Sequence, residues 1–220
     1  SSPFPRLTLV PASIDRTKFL VRRFYPQASD GDATHPKVAV ATGFAPEGGL
    51  ALQELAGLAA GDAKALVARA SANVTQGPRE WQVAEQSGFL MFKKPSLLRG
   101  MGDTSVPVTT MSTEGGGIDD LASDLILDEG FMATASTLLK SDQLIAVVPK
   151  RGWLMVGRCM PGELPVMMKF AQMAEGIAGR GGRHALGTCG YFLAGGKVIG
   201  VSGKDFVSLL TNHDNPWNLG

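Results

Sequence analysis

The chain has 220 residues, enough for one large domain or two small ones. Hydrophobic residues make up 44% and charged residues 19%, which fits a packed soluble protein and excludes a disordered one. Twenty-one basic residues against twenty acidic ones leave a net charge of +1, so no global field draws the chain to nucleic acid or to a membrane surface.

The elements read as follows in chain order. Arg6–Val10 and Lys18–Tyr25 alternate as strands do. Residues 27–36 form a polar loop with Asp30-Gly31 at its turn, and residues 37–42 (KVAVAT) form a short apolar strand. Residues 47–74, rich in Ala and Leu, read as helix, split at Gly61-Asp62 with Asp62 as N-cap of the second part. Residues 81–85 and 89–93 read as a hairpin across Gln86-Ser87-Gly88. Residues 94–117 carry Pro95, Gly100, Gly102, Pro107 and Gly115-Gly116-Gly117, and read as a long connection. Residues 119–140 then read as one helix, acidic in its first turn and basic in its last, as the helix dipole favours, with Gly130 as a point of kink or division.

Residues 143–202 are the most legible stretch. Residues 143–149 and 153–159 are apolar strands joined by the Lys150-Arg151-Gly152 turn. Residues 164–178 have helical spacing and end at the glycines of 179–182. Residues 184–193 and 197–202 are strands around Ala194-Gly195-Gly196. The expected fold is α+β: an antiparallel sheet with a C-terminal ββ-α-ββ unit and helices packed on one face. Residues 1–110 read as an N-terminal α+β region, and residues 118–220 as a helix plus this module. The two regions can equally pack as one continuous domain. No internal repeat of fixed period is present.

Residues 118–158 (IDDLASDLILDEGFMATASTLLKSDQLIAVVPKRGWLMVGR) resemble the C-terminal part of the uncharacterised bacterial YtpQ-like family. That pattern is a Gly-polar-Ala-Ser-Leu-Leu helix start, a long helix, an apolar strand ending in Val-Pro, a charged turn and a second apolar strand. Ala122-Ser123, Val148-Pro149 and Leu154 sit at its positions. Upstream, residues 52–74 are similar to the family's paired helices, with Asn73-Val74 at the equivalent end. Residues 1–46 and the glycine-rich turn at 179–182 depart from it. The resemblance implies a fold and brings no catalytic residue.

Candidate chemistry is sparse. Two cysteines, Cys159 and Cys189, are too few for a disulfide framework or a four-cysteine zinc site. His184 and Cys189 differ by five positions, so on one regular strand they face opposite sides and cannot pair; both cysteines read as inert core residues. His35, His184 and His213 lack the spacing of a metal motif. The glycines at 115–117 lack the Gly-Lys-Ser/Thr ending of a phosphate loop, and Asp119 and Asp120 would repel a phosphate. No metal and no cofactor are expected.

No run is long and apolar enough to span a bilayer, and no charged-then-apolar signal peptide stands at the start, so membrane insertion is not expected. Ser1-Ser2-Pro3 is compatible with the mature end of an organelle-targeted protein. The expected location is the cytoplasm, or an organelle interior where a leader has been removed.

Charge is uneven along the chain. Residues 118–142 hold six acids and one base, and residues 143–220 hold eight bases and four acids. Tracing the ββ-α-ββ path puts Lys150, Arg151, Arg180, Arg183 and His184 at one end of the module, an expected site for an anion or an acidic partner. Val166, Phe170, Met173 and Ile177 follow one helical face, whereas Met167 and Met168 widen the apolar stripe beyond it. Trp217 stands in a polar tail and needs something to pack on. Met167, Met168 and Trp217 are therefore the expected contacts with a protein partner or a second copy of the chain. The favoured function is a non-catalytic binding module or accessory subunit of a larger assembly. The alternative is a small hydrolase or transferase whose site forms from scattered residues near His184.

Overall fold

The computed structural model describes residues 2–25, 34–75, 80–84, 96–98, 118–160, 163–202 and 217. The chain builds an α+β fold from two sheets. The first is antiparallel and contains β1 (Arg6–Val10), β2 (Val21–Arg23), β3 (Lys37–Phe44) and β4 (Leu50–Leu52). Its order is β1-β3-β2, with β4 also paired to β3. The second runs β10-β9-β7-β8-β6-β5. Its members are β5 (Gln82–Ala84), β6 (Ser96–Leu98), β7 (Gln143–Val147), β8 (Met155–Arg158), β9 (Gly190–Ala194) and β10 (Lys197–Ser202). The helices are α1 (Ala60–Asn73), α2 (Glu129–Leu139) and α3 (Leu164–Ala178).

At its centre, in β7 and β9, the second sheet is buried on both faces, and strand alternation explains how. Ile145, Val147, Met155 and Phe192 point to one side and meet Phe170, Met173 and Ile177 of α3. Leu144, Ala146, Val156, Tyr191 and Leu193 point to the other. There they join Leu7, Leu9, Val38 and Val40 of the first sheet and Phe131, Met132 and Ala135 of α2 in the main core. Residues on both sides of position 110 thus share one core. Trp81 adds to it, stacking on Phe131 at 4.5 Å and donating from Nε1 to the Thr134 hydroxyl at 2.9 Å.

The C-terminal ββ-α-ββ unit forms as its apolar runs demand. The helix spans residues 164–178, with Pro165 in its first turn. One strand differs. The expected 184–193 strand begins only at Gly190, because Gly182–His184 turns as a 3-10 helix and Gly187 (φ 138) bends the chain beside Thr34.

Other expectations are corrected by pairing that only the folded chain provides. Residues 47–59 are not helical. Gly48 and Gly49, both at φ near +85, turn the chain so that β4 pairs with β3, and the helix starts at Ala60 with Ala59 as N-cap. Asp62 lies inside the first turn. The Lys18–Tyr25 strand contracts to β2, while the 37–42 strand extends to Phe44. Of the first arm of the expected 81–93 hairpin, residues 82–84 form β5, which runs parallel to β6, and β6 in turn runs parallel to β8. Residues 89–93, the Asp30-Gly31 turn and the glycines of 115–117 lie outside the described residues. The single helix of 119–140 is a 3-10 segment, Ile118–Leu127, followed by α2. The division falls at Asp128, not Gly130: its Oδ1 accepts from the Phe131 amide at 3.0 Å and caps α2.

The β9–β10 turn rests on the first turn of α2. Gly196 sits at φ 83, and a Cβ there would run into the Glu129 carbonyl and lie 2.9 Å from the Ala133 nitrogen. Gly195, at φ 58, faces open space. Gly196→Ala is therefore expected to cost about 2–3 kcal/mol, against about 1 kcal/mol for Gly195→Ala, which meets backbone strain without a clash. Urea midpoints of the two variants check this, and equal losses would mean that the turn stands clear of α2.

Candidate functional site

Two connections distant in sequence meet at one end of the second sheet. The β7–β8 turn carries Lys150 and Arg151, and the α3–β9 connection carries Arg180, Arg183 and His184. Lys150 bridges Ala185. The Arg151 amide donates to the His184 carbonyl at 3.0 Å, and the Leu186 amide to the Pro149 carbonyl at 2.8 Å. From below, the Ser123 hydroxyl accepts from the Gly152 amide at 3.1 Å. The turn is thus held from two sides, and its cations have a fixed base.

The side chains gather there. Arg183 Nε donates to His184 Nε2 at 3.3 Å. The Gly48-Gly49 turn of the first sheet closes the third side. A Cβ on Gly49 would lie 3.6 Å from Arg151 Nη1 and 4.0 Å from His184 Cε1. A glycine at φ 85 thus leaves room over both groups. Arg151, Lys150 and His184 are half-buried, and Arg180 and Arg183 are exposed. Among the described residues, no carboxylate lies within ion-pair distance of Lys150, Arg180 or Arg183. The Gly195-Gly196 turn and Lys197 lie at the opposite end, where Lys197 faces Glu129 at 3.9 Å.

Beneath this surface lies a group the sequence reading passed over. Asp124 is fully buried, and Arg6 is 1% exposed. Asp124 Oδ1 accepts from the Leu9 amide at 2.8 Å and from the Thr8 hydroxyl at 3.0 Å, while Oδ2 lies 3.7 Å from Arg6 Nε. Burial pushes the carboxyl up to about 6, opposed by Arg6, the Leu9 amide, Arg151 and Thr8. The carboxylate fastens the 3-10 segment to β1 and sits under Arg151. A group this deep cannot reach a substrate; its work is to hold elements together. Its only signals in the sequence are Arg6 and Thr8 at alternate positions of an apolar strand, and Ser123-Asp124 inside an apolar run.

On α3, Phe170, Met173 and Ile177 are buried against the sheet, and Met167 is half-buried beside them. Met168 is 60% exposed. Leu164, one helical turn before it, is 61% exposed, and Met160, ahead of the helix, is 56% exposed. Trp217 pairs with β2 through a bridge to Arg22, and its ring lies 5.6 Å from the Arg22 guanidinium. The tail indole thus packs on the chain itself.

Neither cysteine lies in a disulfide. Cys159 is buried, and burial together with the Glu163 charge pushes its thiol up to about 11. It is a thiol, not a thiolate, at neutral pH. Cys189 is half-buried against the main core. Among the described residues, no group of three or more His, Cys, Asp or Glu could hold a metal ion, and no helix is long and apolar enough to cross a membrane. Comparison of the chain with protein-family models, with curated proteins and with solved structures finds no match.

Proposed function

We propose that this protein is a non-catalytic binding module, an accessory subunit that docks on another protein through the outer face of α3. The observation that carries this reading is the pair Leu164 and Met168, each more than half exposed on a helix whose opposite face packs on the sheet, with Met160 exposed ahead of the helix. Leaving three large apolar side chains in water forgoes burial worth roughly 1.5–3 kcal/mol apiece. Contiguous apolar patches of this kind mark interaction surfaces. Unbranched methionine adapts to the contours of a partner.

The alternative reading, a hydrolase or transferase near His184, has less support. The groups beside that imidazole are the guanidiniums of Arg151 and Arg183, which are hydrogen-bond donors with no acceptor atom and offer no nucleophile.

The test is the native mass of the protein in extract from its source. The expected result is elution well above the 23.1 kDa of the single chain. Leu164→Glu with Met168→Glu should return it to that mass, because buried charge at the contact is costly. Elution of the unaltered protein at 23.1 kDa, or an unchanged assembly with the double variant, overturns the proposal. Light scattering that finds the purified chain dimeric would make the partner a second copy instead.

A further inference from the structure

The cationic end of the second sheet lies at the C-terminal end of α3, away from the apolar line near its start, so it forms a separate surface. We propose that this end is a binding site for a phosphate-class polyanion, with the guanidinium of Arg183 and the ammonium of Lys150 as its donors.

Three observations carry this. First, the cations come from two connections locked together by the Lys150–Ala185 bridge and by two backbone hydrogen bonds, so their spacing is preset before a ligand arrives. Second, Lys150, Arg180 and Arg183 have no carboxylate partner among the described residues, unlike Lys18, which faces Glu54, and Lys197, which faces Glu129. Third, Gly49 removes any side chain from the third wall, leaving space beside Arg151 Nη1 and the His184 ring.

Gathering Lys150, Arg180 and Arg183 at one end costs repulsion that a multivalent anion relieves. Guanidinium forks match phosphate oxygens in a way an ammonium cannot. A single monovalent ion would leave most of the charge uncompensated, which points to linked phosphates.

The experiment is a two-dimensional amide NMR titration of the full chain with pyrophosphate in low salt, with acetate and an oligoglutamate peptide as comparison probes. The expected result is saturable shifts at Arg151, Gly152, Arg183 and His184. Affinity should fall about tenfold or more in Arg183→Ala and in Lys150→Ala, as expected for one lost charge-assisted contact. Added sodium chloride should weaken binding further. Melting curves of both variants should match the parent, which separates a lost contact from a lost fold. Shifts that do not saturate, shifts matched by acetate, or affinity unchanged in both variants overturn the proposal. Tighter binding of oligoglutamate than of pyrophosphate also overturns it, and assigns the site to an acidic peptide.

Discussion

Asp124→Ala is expected to destabilise the protein by about 3–5 kcal/mol at neutral pH, the range for removing one partner of a buried ion pair. The substitution strips the Arg6 guanidinium of its counter-charge in a place that is 1% exposed. It also leaves the Leu9 amide and the Thr8 hydroxyl without their acceptor. The pair itself need not be strongly stabilising, since both charges left water to form it. Arg6→Met combined with Asp124→Leu should therefore recover most of the loss. Urea unfolding of the single and double variants measures this directly. A loss below about 1 kcal/mol for Asp124→Ala would mean that water reaches the carboxylate.

The same residue makes a pH signature. Its carboxyl lies near 6 in the folded protein against 3.8 as the reference value. Between these values the folded state holds a proton that the unfolded state has released. The proton held by Asp124 therefore adds to stability in full below about pH 4, and that added part is lost as the pH rises to about 6, leaving the contacts of the carboxylate itself. Relative to Asp124→Asn, which does not titrate, the unaltered protein should lose up to about 3 kcal/mol across that window. A flat difference between the two proteins would show that the carboxyl titrates normally.

Trp153→Ala is expected to cost about 3–5 kcal/mol, the usual price of deleting a large aromatic side chain from a core. Trp153 is 6% exposed and belongs to the cluster between the second sheet and α3, with Ile145, Val147, Phe170 and Met173. It also directly follows the turn that carries Lys150 and Arg151, and its amide closes that turn on the Lys150 carbonyl at 3.0 Å. The variant should melt earlier by roughly 6–20 °C for a chain of this size. A melting curve within error of the parent would place the indole in water.

How far each element could be read depended on where its information lay. The α3 boundaries follow from a helical line of Phe170, Met173 and Ile177, Pro165 at the start and Gly179 at the end, all within a few residues of one another. The strands β1, β7 and β10 carry their own alternation or apolar run. Residues 47–59 misled because an Ala-Leu composition suits a helix and a short edge strand alike, and only the free edge of β3 decides between them. The pairing of β5 with β6, and of β6 with β8, follows from an open edge contributed by residues far along the chain.

The candidate sites divide in the same way. Tracing strand and helix lengths was enough to bring Lys150, Arg151, Arg180, Arg183 and His184 to one end, because each link in that path is short and regular. The Gly49 wall above them and Asp124 below come from other parts of the chain, and no local pattern points to them.

By itself, then, the sequence determined the α+β class, the ββ-α-ββ unit and the amphipathic face of α3. Those depend on periodicities set by backbone geometry over a handful of residues. Only the tertiary structure decided which edges pair, where the acidic 118–140 segment breaks, and that Asp124 is a buried tie to a strand 115 residues earlier. A long-range contact leaves no period in the sequence: its residues meet because the core between them has closed, and that closure is a property of the whole chain.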